Sequence, residues 1–107
     1  MKYSESLKKN KDFQYIYRKG KSYANKYLVM YVLENGTSQN RLGISVSKKV
    51  GNSIVRHRLT RLMQEERFRC GLDIIVIARI GAKGKDYKDI VGAMLHLGHL
   101  HKIIDEG

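Results

Sequence analysis

The run DIIVIAR at residues 73–79 sets five apolar residues in a row. It reads as a strand of the buried type, which needs a sheet around it and other elements packed against it. A second strand is predicted at residues 27–34, YLVMYVLE, from its aromatic and β-branched content. There Leu28, Met30 and Val32 point one way, and Tyr27, Val29, Tyr31 and Leu33 the other. A third, RLGISVS at 41–47, carries Leu42, Ile44 and Val46 on one face. The turn chemistry of NGTSQN separates these two.

Helical periodicity fills much of the remainder. Asn10 can cap a helix beginning at Lys11, with Phe13, Ile16 and Tyr17 as its stripe and Gly20 as its stop. A short extra strand is placed at 22–26. Gly51 breaks the register after the third strand, and Asn52 can cap a helix running from about Ser53 to about Gln64. Val55, Leu59, Leu62 and Met63 share one face of it; His57, Arg58 and Arg61 lie opposite, with Arg56 flanking. GAKGK at 81–85 is a loop. A last helix is expected from Asp86 to about Ile103 through Ile90, Val91, Met94, Leu95, Leu97 and Leu100, with Gly92 and Gly98 against it. At 107 residues this is one domain, 1–107. The expected fold class is α+β: a small sandwich of order α-β-β-(β)-α-β-α, with helices on an open sheet.

The net charge is +11 and unevenly spread. Residues 1–64 hold fourteen Lys/Arg against three Asp/Glu, and the remainder holds seven of each. That asymmetry predicts a basic face and an anionic partner. The densest part is KKVGNSIVRHRLTR at 48–61, where six of fourteen residues are basic, His57 included, and none is acidic. No acidic side chain stands at i, i+4 to relieve the charges. They surround a helix start, whose free N–H groups and positive dipole end suit an anion. Lys48 and Lys49 precede the cap, and arginine can grip two phosphate oxygens at once. A phosphate-binding surface for nucleic acid is the stronger reading over a merely solvated face. His57, set among arginines, suits an anion contact better than general-base work.

The aromatic residues leave two readings open. Phe13 and Tyr17 share a helix face, and Tyr27 and Tyr31 share a strand face. They can be core, or a stacking platform for single-stranded bases beside a basic groove.

Other chemistries find little support. Cys70 is the sole cysteine and reads as an inert thiol. His96 and His99 stand at i, i+3 without a third good ligand on that face, so no metal site is assigned. No Walker motif, GxGxxG or HExxH occurs, and the acidic residues of the basic half are scattered. No run approaches the ~18 apolar residues of a membrane span, and the N-terminus lacks the apolar stretch of a signal peptide. The expectation is a cytoplasmic protein with no membrane partner, monomeric when free.

RLGISVSKKVGNSIVRHRLTRL at 41–62 closely resembles the protein subunit of bacterial ribonuclease P, whose strand ends in SVSKK before a GN turn and an Arg-Asn-Arg helix. LKKNKDFQYIYRKG at 7–20, YLVMYV at 27–32 and GLDIIVIAR at 71–79 extend the resemblance over nearly the whole chain. It implies a four-stranded sheet with a left-handed β-α-β crossover through the basic helix. It implies a ribonucleoprotein that removes the 5′ leader of precursor tRNA, with catalysis in a large RNA subunit that holds most of the Mg2+. The partners would be that RNA and precursor tRNA. Carried over by position, Lys48, Lys49, Asn52, Arg56, Arg58 and Arg61 would contact the RNA subunit, and Phe13, Tyr17 and Tyr31 would line a cleft for the leader. This carries the aromatics from an open reading to a functional one.

Three departures stand out. His57 replaces the Asn of the signature. Thr60 and Gln64 stand where relatives commonly carry basic residues, which should weaken the hold on phosphate. The connection QEERFRCG at 64–71 is several residues shorter than usual. Two rivals are a structural RNA-binding protein with no preference for a 5′ extension, and a stand-alone nuclease that needs no RNA partner.

Overall fold

In the computed structural model, residues 4–46, 57, 59, 61 and 68–104 are described. The chain runs β1 (Ser4–Ser6), α1 (Asn10–Lys19), β2 (Lys21–Ala24), β3 (Leu28–Glu34), β4 (Asn40–Ser45) and β5 (Leu72–Ala78). A 3-10 turn (Ile80–Ala82) and α2 (Tyr87–His101) follow. The strands form one mixed sheet in the order β1-β4-β5-β3-β2. The expected α+β architecture holds, with four principal strands β2–β5. A fifth, of only three residues, lies on the outer edge of β4, parallel to it.

β5 is interior, antiparallel to β3 and parallel to β4. All its residues but Ile77 are buried, which is why DIIVIAR shows no polar alternation. The sheet then divides its apolar residues by parity. Leu28, Met30, Val32, Leu42, Ile44, Ile74 and Val76 enter the larger cluster, with Ile90, Ala93, Met94 and Leu97 of α2. Ile75, with Leu7 and Ile16, forms a smaller cluster under α1, joined by Tyr31, Leu33 and Ile77. The sheet thus lies between α1 and α2. Complete burial of side chains such as Met94 and Leu97 stabilises by ~1.5–3 kcal/mol each.

Several boundaries differ from expectation. α1 begins at Asn10 itself, and Lys9 is the capping position, with no side-chain cap bond. Asp12 in the first turn and Arg18 and Lys19 in the last suit the helix dipole instead. The Gly20 N–H closes the helix on the Ile16 carbonyl at 2.7 Å. Tyr27 precedes β3 and does not share a strand face with Tyr31. Its ring packs against the α2-side cluster, while Tyr31 joins the α1 side. The Asn25 side chain shapes that turn by accepting from the N–H groups of Tyr27 and Leu28 and donating to the Ala93 carbonyl of α2. Asp86 caps α2, accepting from the Asp89 N–H at 3.0 Å, which also holds its carboxyl below the usual range. Leu100, expected on the apolar face, is exposed.

Between Val46 and Phe68 the described residues are His57, Leu59 and Arg61, all helical. Leu59 is fully buried in the larger cluster, whereas His57 and Arg61 are exposed, as the amphipathic pattern predicts. The parallel pairing of β4 with β5 requires a crossover. The path that sets its hand lies mostly outside the described residues, as do Lys48, Lys49, Gly51, Asn52, Arg56, Arg58 and the helix ends near 53 and 64. The return from the short connection is anchored from Asn40. Its Nδ2 donates to the Arg69 carbonyl at 2.8 Å, and its Oδ1 accepts from the Leu72 N–H at 2.8 Å.

Candidate nucleic-acid interface

The α1-side surface is built on one cross-strand row. Gly43, Ile75 and Tyr31 are register partners on β4, β5 and β3. The α1 stripe lies over this row. Ile16 is completely buried with Ile75, and Phe13 and Tyr17 flank it half-buried. Phe13 sits over Gly43, where an added Cβ would come within 2.6 Å of the ring. Tyr17 meets Tyr31 edge-on at 5.0 Å between centroids, and Phe13 stands 6.3 Å from Tyr17. The structure therefore brings Phe13, Tyr17 and Tyr31 into one partly exposed aromatic group. Burial, and secondarily Tyr31, raises the Tyr17 pKa above its ordinary 10.0, so the hydroxyl stays neutral at physiological pH.

An ion network fixes the first turn of α1 to the sheet. Arg41 donates from Nε to Asp73 Oδ1 at 2.8 Å and from Nη2 to Oδ2 at 2.6 Å, and reaches Asp12 Oδ2 from Nη1 at 3.4 Å. The Asn35 amide adds a 2.9 Å bond to Asp73 Oδ1. Asp73 is buried, and its charge is balanced by two bonds from one guanidinium. Reading the residues singly missed this network. The signal was there: Arg41 and Asp73 open the two predicted strands with opposite charges, and parallel pairing makes them register partners.

The described residues of the basic segment lie on the other side of the sheet. His57 and Arg61 are one helical turn apart and exposed, with Leu59 buried in the α2-side cluster. Of the proposed RNA contacts, these two are the ones whose placement is described. Phosphate contacts here and base contacts on the aromatic group would therefore occupy opposite faces of one sheet.

Two histidines of α2, His96 and His101, hydrogen-bond to the sheet side of the fold. His96 Nδ1 accepts from the Asn25 amide at 3.2 Å. His101 Nε2 donates to the Met30 carbonyl at 2.9 Å, with its ring edge-on to Tyr23 at 4.7 Å. Among the described residues no three His, Cys, Asp or Glu side chains are grouped to hold a metal ion. No helix among them is long and apolar enough to cross a membrane. Cys70 is exposed.

Comparison with known proteins gives consistent results. Residues 1–102 match the Ribonuclease P family. The ribonuclease P protein component of Lachnoclostridium phytofermentans is 58% identical over 108 residues, spanning 94% of this chain and 92% of that protein. That span is longer than the part of this 107-residue chain it covers, so the relative carries residues inside the match that this chain lacks. The Staphylococcus aureus RNase P protein superposes with a TM-score of 0.80 at 38% identity, covering 96% of this chain and all of that one. The Thermotoga maritima RNase P protein gives 0.73 at 31% identity, covering 96% and 99%.

Proposed function

The chain belongs to the ribonuclease P protein family, and from that premise we propose that it is the RNA-binding subunit of a ribonucleoprotein that matures tRNA 5′ ends in the cytoplasm. The protein binds the RNA subunit and the 5′ leader of precursor tRNA. The observation that carries the leader assignment is the partly exposed Phe13–Tyr17–Tyr31 group, a set of neutral rings on a rigid sheet.

Two physical terms do the work. Lys48, Lys49, Asn52, Arg56, His57, Arg58 and Arg61 neutralise RNA phosphates and release counterions, so affinity falls steeply with salt. The aromatic group stacks leader bases, and each stacked base contributes ~1–3 kcal/mol. Precursor tRNA carries these bases and mature tRNA does not, so the second term discriminates between them. Cleavage chemistry is assigned to the RNA, with the Mg2+ that serves it. Among the described residues no three His, Cys, Asp or Glu side chains group to hold an ion, and Asp73 with both oxygens and Asp12 with Oδ2 turn to Arg41.

The test is cleavage of precursor tRNA by a bacterial ribonuclease P RNA at low Mg2+, with and without this protein, beside a protein-alone control. Stimulation that requires the RNA is expected. Absence of stimulation by folded protein would overturn the assignment, and cleavage by protein alone would move the chemistry onto this chain. Equal affinity of the complex for precursor and mature tRNA would leave a structural RNA-binding protein.

A further inference from the structure

One end of the sheet gathers cations that the proposed interfaces do not use. Two loops meet there, the β2–β3 turn and the segment after β5. The Arg79 N–H donates to the Tyr27 carbonyl at 2.8 Å, and Arg79 Nη1 donates to the Asn25 carbonyl at 2.8 Å. Gly81 lies so close to the turn that a Cβ would meet the Lys26 carbonyl at 2.2 Å. The two loops are thus locked together as one surface.

On that surface the ammonium groups of Lys26 and Lys85 stand 5.7 and 5.6 Å from the centre of the same Tyr27 ring. The ring attracts each cation, and the two ammonium groups share it. Lys26, Arg79, Lys83 and Lys85 are all exposed. Among the described residues none of the four pairs with a carboxylate. The cause is in the sequence: residues 13–33 and 74–85, which supply both loops, contain no Asp or Glu.

Topology places this cluster. Leu28 pairs with Ala78, and Val29 and Ser45 both pair with Ile77. The start of β3 and the ends of β4 and β5 therefore share one end of the sheet. Lys48 and Lys49 follow Ser45 by three and four residues in the chain that leaves this end. The Tyr27 ring belongs to the same apolar cluster as Leu59, on the side away from the aromatic cleft.

We propose that Lys26, Tyr27, Arg79 and Lys85 form a second contact for an RNA sugar-phosphate backbone, occupied by the RNA subunit and separate from the leader cleft. It rests on the RNA-binding reading above. Backbone phosphates taken up by Lys26, Arg79 and Lys85 supply the negative charge that the described carboxylates do not, and cations gripping phosphate read no bases, so the contact is sequence-independent.

The experiment measures RNA-subunit affinity across a salt series for wild type, Lys26→Ala/Lys85→Ala, Lys26→Arg/Lys85→Arg and His57→Ala/Arg61→Ala, with the precursor-to-mature tRNA preference of each complex. The alanine pair should lower the slope of log affinity against log salt by about 2 and weaken binding roughly tenfold. The arginine pair should bind as wild type does, and all should keep the precursor preference. An unchanged slope and affinity in the alanine pair overturns the second contact, and if His57→Ala/Arg61→Ala still weakens binding, the RNA-binding reading survives alone. Equal weakness of the arginine and alanine pairs would make the effect one of packing on Tyr27 and overturn the proposal. Loss of precursor preference with RNA-subunit affinity retained would assign the surface to substrate and overturn it too. Wild-type protein that fails to bind the RNA removes both readings.

Discussion

Phe13 lies over Gly43, with two of its ring carbons 2.6 Å from the point where a Cβ at Gly43 would stand. The β4 backbone is thus the floor of the aromatic group, and the strand must be bare there. Gly43→Ala should push the ring outward and lift the first turn of α1. Overpacking of this kind costs ~1–3 kcal/mol. Thermal denaturation should show that loss, and precursor preference should fall while RNA-subunit affinity holds.

Tyr17 and Tyr31 make the second contact of that group, edge to face. Tyr31→Ala should lower the preference for precursor over mature tRNA by ~1–3 kcal/mol per base lost, about five- to 150-fold. Tyr17→Phe should retain it, because the ring and not the hydroxyl stacks. Paired binding titrations with the two tRNAs check both. A large loss in Tyr17→Phe would argue for hydrogen bonding instead.

The Arg41–Asp73 pair predicts strong non-additivity. Arg41→Ala leaves the buried Asp73 carboxylate with the Asn35 amide as its side-chain donor. Removing one partner of a buried pair costs about 3–5 kcal/mol, and the part-exposed guanidinium places this one at the lower end. Arg41→Met/Asp73→Leu should recover part of that loss. A double-mutant cycle by urea unfolding measures it.

His101 gives a pH signature. Burial pushes its pKa below the ordinary 6.5; the bond to the Met30 carbonyl pulls it back, and Lys21 lowers it further. The fold therefore favours the neutral ring. Between the depressed folded value and 6.5 the unfolded chain binds more protons, so stability rises with pH through that window. It is lost as pH falls through the folded value. The thermal midpoint of wild type should drop on acidification across this range, and His101→Gln should flatten the drop.

Much of the architecture was legible because its signals are local. The alternation Leu28, Met30, Val32 assigned β3 its buried face, and the unbroken run at 74–78 marked the interior strand. Leu59 against His57 and Arg61 showed the helical repeat of the basic segment. What failed was not local. β1 is three polar residues, Ser-Glu-Ser, with no apolar pattern; the edge of β4 recruits it. Tyr27 matched the parity of Tyr31, but the Asn25 turn ends the strand before it and turns its ring to the other core. The grouping of Phe13 and Tyr17 with Tyr31 was expected from family resemblance; their spacing alone left core and platform equal. The Lys26–Tyr27–Lys85 cluster joins residues far apart in sequence through two loops, and no periodicity announces it.

The position of β5 governs how the chain can be made. Every strand of the sheet precedes it in sequence, yet it lies at the centre, between β4 and β3. Until residues 72–78 leave the ribosome, β4 and β3 have no common partner and the two apolar clusters have no wall between them. A nascent chain halted before β5 already carries the whole excess of positive charge, with two strand edges open. Such a product is poised to collect polyanions or to pair with its own copies before it can fold. Sheet closure waits on long-range pairing, which is slow. A truncation ahead of Ala78 should therefore yield no partial domain, only an unfolded polycation.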